Sequence, residues 1–205
     1  NGVLLDSLPT STIHYAEDRD DAWRFAISFV TGEEPDLTQA LLVSTNRIGD
    51  LLASLRLEPG EDPEEKLRLA AKELFGIDDL RPAQLQIMCA LLAGRDVVGF
   101  LPTGSGKSLT FQLPALLHPD GLPTVVVSPL VALIKDQVDE LRSRRGIRVV
   151  AGITGRTSGA ERTETMRDLA DGKVRLLYIA PERLVRDPTL RKSIASQDLG
   201  VLVVD

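Results

Sequence analysis

The stretch DVVGFLPTGSGKS, residues 96–108, decides the fold of this 205-residue chain. It begins with an apolar run from Asp96 to Leu101, passes through two closely spaced glycines, and ends on Lys107 and Ser108. Glycine adopts backbone angles and close approaches that side chains forbid. A strand, a glycine-rich turn and the start of a helix together turn consecutive backbone N–H groups inward on an anion. The stretch therefore predicts a phosphate-binding loop between a strand and a helix.

The residues of this loop have individual predicted roles. We expect four of them to surround the phosphates of ATP with their backbone: Thr103, Gly104, Ser105 and Gly106. Lys107 would reach the β- and γ-phosphates, and the hydroxyl of Ser108 would bind Mg²⁺. The usual pattern has a glycine where this chain has Leu101, so the match is incomplete. The alternative is a glycine-serine turn without function, which the flanking strand and helix disfavour.

The last apolar run, residues 200–205, ends on an acid, Asp205. In enzymes with a phosphate-binding loop, an aspartate at the end of a strand holds the Mg²⁺. An apolar run followed by aspartate is weak evidence alone, but together with the loop it makes Asp205 a candidate metal-binding residue. Lys107 and Asp205 are the candidate catalytic residues.

Strands and helices alternate after residue 80. The predicted strands are 96–101, 124–128, 148–153, 175–180 and 200–205, and the predicted helices between them are 107–117, 130–144, 159–169 and 182–196. Near-continuous apolar runs indicate strands that are covered on both faces, and this alternation implies right-handed βαβ units. The pattern predicts an α/β fold with a parallel sheet. Pro114, which lacks an N–H donor, is expected to kink or end its helix.

The first 60 residues form a predicted accessory segment that is acidic and mainly helical, with helical spacing at 20–30 and 37–57. A linker at 58–63 leads to a helix from Glu64 to Phe75, capped by Gly76. Residues 1–79 carry 17 acidic and 7 basic residues, a net charge of −10, whereas residues 80–205 carry 13 and 17, a net charge of +4. Only the second part suits a phosphate backbone, and the acidic segment is a candidate surface for a partner protein. Solvated surfaces of opposite sign are the alternative.

Composition narrows the class of protein. No run approaches the roughly 18 to 20 apolar residues that would span a membrane. Cys89 is the single cysteine, which excludes an internal disulfide framework or a cysteine-rich zinc site in this chain. It lies on an apolar helix face, so we expect a buried, unreactive thiol. A cytoplasmic location fits these features.

Residues 75–205 resemble the first RecA-like domain of RecQ-family superfamily 2 helicases, as far as the aspartate of motif II. Phe75-Gly76 with Arg81-Pro82-Ala83-Gln84 is similar to the family motif that precedes the phosphate loop and reads adenine. The resemblance implies that the Gln84 amide contacts the adenine edge and that Arg81 makes a supporting contact. Ile77 stands where the family commonly has an aromatic residue, which puts stacking on the base in question but not the amide contact.

Two further stretches carry the resemblance. Residues 128–138 are similar to motif Ia of the family, and residues 176–184 are similar to its motif Ib region. Each also predicts a strand end and a helix start, with Ser128 as N-cap and Pro181 at the first helical position. The carboxyl ends of parallel strands share one edge of the sheet, where ligands bind. Our candidate nucleic-acid contacts on this edge are Ser128, Pro129, Lys135, Gln137, Thr154 and Arg183.

The resemblance implies an ATP-dependent DNA helicase active in DNA repair, with single-stranded or forked DNA as partner. ATP hydrolysis would drive 3′ to 5′ translocation and duplex unwinding. Hydrolysis also needs a glutamate after Asp205 and an arginine from a second RecA-like domain, so we expect this chain alone to bind nucleotide weakly and hydrolyse almost none. Three alternatives stay open: a small-molecule kinase, a DEAD-box RNA helicase, and a non-enzymatic accessory module. The motifs favour DNA over RNA.

Overall fold

The computed structural model describes residues 48–205. The predicted helix at 20–30 and most of the predicted helix at 37–57 lie outside the described residues. Of the second helix, the described part at 48–54 is helical. Leu52 and Leu55 are buried in the same core as the domain that follows, and the N–H of Leu57 donates to the carbonyl of Leu117 at 3.0 Å. Residues 48–57, which precede the predicted boundary at residue 60, thus pack onto the α/β domain.

Four parallel strands form the sheet. They are β1 (Thr124–Val127), β2 (Val150–Ile153), β3 (Leu176–Ile179) and β4 (Val201–Val204), in the order β2-β3-β1-β4. The last residues of the three adjacent strands are in register, because Ile179 pairs with both Val127 and Ile153. The predicted α/β class with a parallel sheet is confirmed.

Helices lie between and before these strands. They are α1 (Pro63–Phe75), α2 (Pro82–Leu92), α3 (Leu109–Leu117), α4 (Val131–Asp139), α5 (Gly159–Ala170), α6 (Pro181–Arg186) and α7 (Pro188–Ala195), and a π-helical turn (Glu140–Arg144) continues α4. The predictions for α1, α4 with its π-helical turn, and α5 are correct to within one residue at each end. Local signals explain α1, since Asp62 accepts a hydrogen bond from the Glu64 N–H and Gly76 ends the helix with φ of 65°.

The sheet separates two hydrophobic clusters. Neighbouring residues of a strand point to opposite faces, and accordingly Val125 belongs to one cluster and Val126 to the other. The larger cluster joins the sheet to α1–α4, and the smaller one includes residues of α5 and α7. Both faces of the central strands are therefore covered, which explains why their sequences are almost continuously apolar.

The predicted strand at 96–101 is wrong: these residues adopt no strand and pair with none of the four. Val98 and Phe100 are 83% and 92% exposed, so the apolar composition of this segment is not matched by burial. A parallel strand exists only where neighbouring backbones supply a ladder of hydrogen bonds. Composition alone therefore overestimated the strand content at this point.

Proline changed two other predictions. Helix α3 does not end at Pro114 but runs on to Leu117, because all nine of its residues are buried and packing outweighs the missing N–H. The single helix predicted at 182–196 is two helices, divided at Asp187 and Pro188. At this division Asp187 is the N-cap of α7, because its side chain accepts a hydrogen bond from the Leu190 N–H. Asp187 also forms an ion pair with Arg162 at 2.5 Å.

Four smaller predictions have definite outcomes. Pro181 is the first residue of α6, as predicted, but the N-cap of α4 is Leu130 rather than Ser128. Cys89 is partly buried against the larger cluster, and burial raises the pKa of its thiol, as an unreactive cysteine requires. Among residues 48–205, none of the helices has the length and apolar character needed to cross a bilayer.

Candidate nucleotide-binding site

The phosphate loop has the backbone geometry that its glycines permit. Gly104 and Gly106 have φ of 75° and 77°, in the left-handed region. Within the described residues, the backbone N–H groups of Gly106, Lys107 and Ser108 donate no hydrogen bond. They stand at the entry of α3, where the helix dipole favours negative charge. The loop thus offers free donors to an anion.

The two candidate catalytic residues are in contact. The Nζ of Lys107 lies 2.7 Å from the Oδ1 of Asp205, whose side chain is only 10% exposed. The N–H of Asp205 donates to the carbonyl of Val127 at 3.0 Å, so pairing with β1 fixes Asp205 at the end of β4. Residues separated by almost 100 positions are brought together here.

Ser108 and Asp205 fit a magnesium ion bound with nucleotide. They provide hydroxyl and carboxylate oxygens, the ligand type that Mg²⁺ prefers. Within residues 48–205, no group of three or more His, Cys, Asp or Glu side chains is placed to hold a metal by itself. The metal-binding roles of both residues stay predictions.

The side chain of Gln84 holds the phosphate loop. It is 6% exposed, and its Nε2 donates to the carbonyls of Ser105 at 2.9 Å and Gly106 at 3.3 Å. Its Oε1 accepts from the N–H of Arg81 at 2.9 Å. Both ends of the amide are therefore used within the protein. A hydrogen bond donated by Gln84 to the adenine edge requires Nε2 to exchange one of these partners, whereas Oε1 retains a second lone pair that can accept one.

A cavity of about 420 Å³ opens beside the loop. Its lining includes loop residues from Gly104 to Ser108, apart from Lys107, together with Phe75, Ile77, Arg81 and Gln84 from the preceding motif. The rest of the wall consists of Asp79 before α2 and of residues from α3, α4 and the turn after α4: Leu109, Gln112, Gln137, Glu140 and Arg145. The volume lies in the range of small-ligand sites. Thr103, which was predicted to bind phosphate, is exposed and does not line this cavity.

A buried hydrogen-bond network forms the floor of the site. The Nε2 of Gln112 donates to the Oε1 of Gln137 at 2.6 Å and to the hydroxyl of Tyr178 at 2.9 Å. Burial raises the pKa of Tyr178, whose ring also packs edge-on against Phe111. Gln137 was predicted as a nucleic-acid contact, but the structure places it in the wall of the cavity beside the phosphate loop, where it links α4 to α3.

The remaining nucleic-acid candidates lie along the carboxyl edge of the sheet. Since the strand order is β2-β3-β1-β4, the residues that follow the strands line up in the order Thr154, Ala180, Ser128 and Asp205. Pro129 and Lys135 are exposed. By contrast, Ser128 is 2% exposed and its hydroxyl has no partner among the described residues. Its predicted contact with nucleic acid would require the surrounding backbone to open.

Arg183 and Thr154 shape a loop. The Nε of Arg183 donates to the carbonyl of Thr154 at 2.7 Å, and an Nη atom donates to the carbonyls of Gly155 at 3.3 Å and Thr157 at 3.0 Å. The Thr154 N–H donates to the hydroxyl of Thr157 at 3.0 Å. Most donors of Arg183 are therefore engaged in holding the loop at 154–157, so the structure favours a positioning role.

Five residues of the cavity wall were missed from the sequence: Asp79, Leu109, Gln112, Glu140 and Arg145. Gln112 had a detectable signal, because it and Thr110 are the only polar residues in the helix Leu109–Leu117. Glu140 and Arg145 had none, since their positions depend on the π-helical turn after α4.

Comparison with known proteins decides the family. The sequence model of the protein family described as DEAD/DEAH box helicase matches residues 81–205, which are more than half of the chain. The chain belongs to the DEAD/DEAH box helicase family.

The relatives of this helicase chain are of the RecQ type, as the sequence resemblance predicted. The ATP-dependent DNA helicase Q5 of Mus musculus is 43% identical over 151 residues, which cover 70% of this chain and 15% of that protein. The ATP-dependent DNA helicase RecQ of Synechocystis is 44% identical over 124 residues, which cover 60% and 25%. The chain thus spans a quarter or less of the length of these two relatives.

A solved helicase structure shares the fold. A crystal structure of the DUF1998 helicase MrfA bound to DNA and AMPPNP is similar over 73% of this chain and 21% of its own, with a TM-score of 0.52 and 23% identity. At this identity the likeness concerns the fold alone, and it supports the RecA-like class predicted from the sequence.

Proposed function

We propose that this chain is the ATP-binding part of an ATP-dependent DNA helicase of the RecQ type, which uses hydrolysis to move 3′ to 5′ along single-stranded DNA and unwind duplex or forked DNA. The observation that carries the proposal is the contact between Lys107 and Asp205 beside a loop with free backbone donors. The names of the relatives support DNA as the nucleic acid.

The phosphate loop explains how a triphosphate would be held. The free N–H groups of residues 106–108 face an anion without any need to break existing hydrogen bonds. Lys107 would leave Asp205 and turn to the β- and γ-phosphates, while Asp205 and Ser108 would hold the Mg²⁺ that balances the phosphate charge. Lys107 and Asp205 thus neutralise each other before nucleotide binds, so that neither charge is left unpaired.

Hydrolysis by the chain alone is expected to be very slow. A glutamate that orients water and an arginine from a second RecA-like domain would both have to come from outside these residues. An arginine finger is worth about 10³ to 10⁵ in rate. We therefore expect the chain to bind nucleotide and Mg²⁺ with little turnover.

Nucleic acid would lie along the carboxyl edge of the sheet. Lys135 is exposed on α4, close to the end of β1, and forms no ion pair with a described residue. Lysine contacts phosphate without reading bases. The acidic segment at 1–60 is a candidate for partner-protein binding.

Nucleotide binding is tested on the chain itself with a fluorescent ATP analogue and Mg²⁺. We expect saturable binding that Lys107→Ala abolishes, and no measurable release of phosphate. Robust ATP turnover by the chain that disappears in Lys107→Ala would refute the expected inactivity. Absence of binding in the unmodified chain would refute the proposed function.

The choice of nucleic acid is tested on a longer protein that contains this chain and its second RecA-like domain. Single-stranded DNA should stimulate its ATPase much more than RNA of the same sequence, and equal or greater stimulation by RNA would assign an RNA helicase instead. Lys135→Ala should weaken DNA binding and reduce the slope of log affinity against log salt by about 0.7, the value for one phosphate contact on a single strand. Lys173→Ala is the matched control, because Lys173 is exposed and precedes β3 at the other end of the strands.

A further inference from the structure

The base-binding end of the cavity has Ile77 where the family commonly has an aromatic residue, while Arg81, the predicted supporting contact, lines the cavity. Ile77 offers no aromatic ring, and both ends of the Gln84 amide are engaged with the protein. Phosphate contacts alone do not distinguish adenine from any other base. A surface on which the base stacks in place of the missing ring would therefore have to come from a side chain other than Ile77.

Arg145 has the position and the shape for such a contact. It lines the cavity together with Phe75 and Ile77. Its guanidinium carbon lies 4.9 Å from the centre of the Phe75 ring. The group is fixed at its edges, because one Nη donates to the carbonyl of Leu74 at 3.3 Å and the other pairs with Glu140 at 2.8 Å. Its Nε is buried without a hydrogen-bond partner among the described residues.

The backbone before Arg145 explains how it reaches this place. Helix α4 changes to π-helical hydrogen bonding over Glu140–Arg144, a widening that often occurs at functional sites. Gly146 then turns the chain with φ of 68°, and the N–H of Ile147 donates to the carbonyl of Leu141 at 2.8 Å. This tight end holds Arg145 above Phe75 rather than letting it extend into solvent.

We propose that Arg145 supplies the flat surface on which the adenine base stacks, in place of an aromatic ring at Ile77. The proposal deepens the proposed function and rests on it. A guanidinium group is planar, weakly hydrated and able to stack on aromatic faces. The guanidinium carbon lies over the Phe75 ring, and the base would add a third layer on the side away from Phe75. The edge contacts to Leu74 and Glu140 hold the plane before nucleotide arrives, which reduces the entropy lost on binding.

The test compares ATP with inorganic tripolyphosphate, which carries the phosphates but no base. Binding of both is measured on the chain and on three variants: Arg145→Ala, Arg145→Lys and Arg144→Ala. Arg144 is the matched control, because it is a neighbouring arginine that also bonds Glu140, is 80% exposed and does not line the cavity.

We expect Arg145→Ala and Arg145→Lys to bind ATP about tenfold more weakly, the size of a partly desolvated stacking contact. Tripolyphosphate should bind all variants equally, and Arg144→Ala should bind ATP like the unmodified chain. Arg145→Lys keeps the charge and an ammonium for Glu140, so it tests the proposal even if Arg145→Ala is unstable.

Three results would overturn the proposal. Unchanged ATP affinity in Arg145→Ala would show that the base does not touch this side chain. Full affinity in Arg145→Lys would assign the effect to charge instead of a flat surface. An equal loss for tripolyphosphate would show that the substitution damages the phosphate loop. Failure of the unmodified chain to bind either ligand is a different result, because it refutes the proposed function itself.

Discussion

Replacement of Gly106 by alanine should damage the phosphate loop more than the same replacement two residues earlier. Gly106 has φ of 77°, and a Cβ built on it would lie 2.7 Å from the Nε2 of Gln84. Gly104 has nearly the same φ, 75°, but its Cβ would meet nothing within 4 Å. The two positions therefore share the backbone strain and differ only in the contact with Gln84.

The expected sizes follow from this difference. A left-handed conformation costs a residue with a side chain about 1–2 kcal/mol, so Gly104→Ala should lower the free energy of unfolding by about that amount. In Gly106→Ala the Gln84 amide must also move away from the carbonyls of Ser105 and Gly106. Each of these hydrogen bonds contributes about 0.5–1.5 kcal/mol, and the longer one, at 3.3 Å, contributes least. Gly106→Ala should thus cost about 2–4 kcal/mol.

Urea denaturation without nucleotide measures both variants, since it separates the stability of the loop from its phosphate contacts. The same pair is then made in a Gln84→Ala background. There the extra cost of Gly106→Ala should disappear, because the side chain that it strikes is gone. Equal losses in the original background, or a difference that persists after Gln84→Ala, would refute the view that Gln84 holds this loop.

Other substitutions give independent predictions. Asp205→Asn should leave ATP binding measurable but remove its dependence on Mg²⁺, as checked by titration of nucleotide with and without the ion, because the amide has lost the charge that attracts it. Arg183→Ala should lower the free energy of unfolding by about 1–3 kcal/mol, since the loop at 154–157 loses its hydrogen bonds; Arg186→Ala, exposed on the same helix, is the control and should change little. Burial raises the pKa of Tyr178 above its ordinary value of 10.0, so the folded protein retains this proton where the unfolded chain loses it. The contribution of the neutral phenol is thus complete below about pH 10 and is lost as the pH rises toward the folded pKa. Urea denaturation between roughly pH 9 and 11 should show this loss in the unmodified chain and a smaller loss in Tyr178→Phe, and equal pH slopes would contradict it.

The parts of the site that follow strands were predictable from the sequence. Near-continuous apolar runs located all four strands of the sheet, and the rule that parallel strands share a carboxyl edge brought Ser128, Thr154 and Asp205 to one side. Local patterns and sheet geometry were sufficient for these predictions. The contact of Lys107 with Asp205 does not follow from this rule alone, because the segment before Lys107 forms no strand.

Contacts between distant side chains were not predictable in this way. The sequence indicates that Gln84 belongs to the site, but not that its amide is used by the backbone of the loop. Arg145 gives no signal because its place depends on a π-helical turn and on Phe75, which is 70 positions away. Such contacts depend on how separate elements pack, and a single sequence does not carry that information.

The segment at 96–101 shows the same limit and explains why Gln84 matters so much. A phosphate loop is normally held from both ends, by a paired strand before it and a helix after it. Here α3 is entirely buried and fixes one end, but Val98 and Phe100 are exposed and the preceding segment forms no ladder. The two hydrogen bonds from Gln84 therefore stabilise the loop at the end where no paired strand does so. It follows that the loop conformation in this chain depends on α2 and Gln84 more than on the residues that immediately precede it.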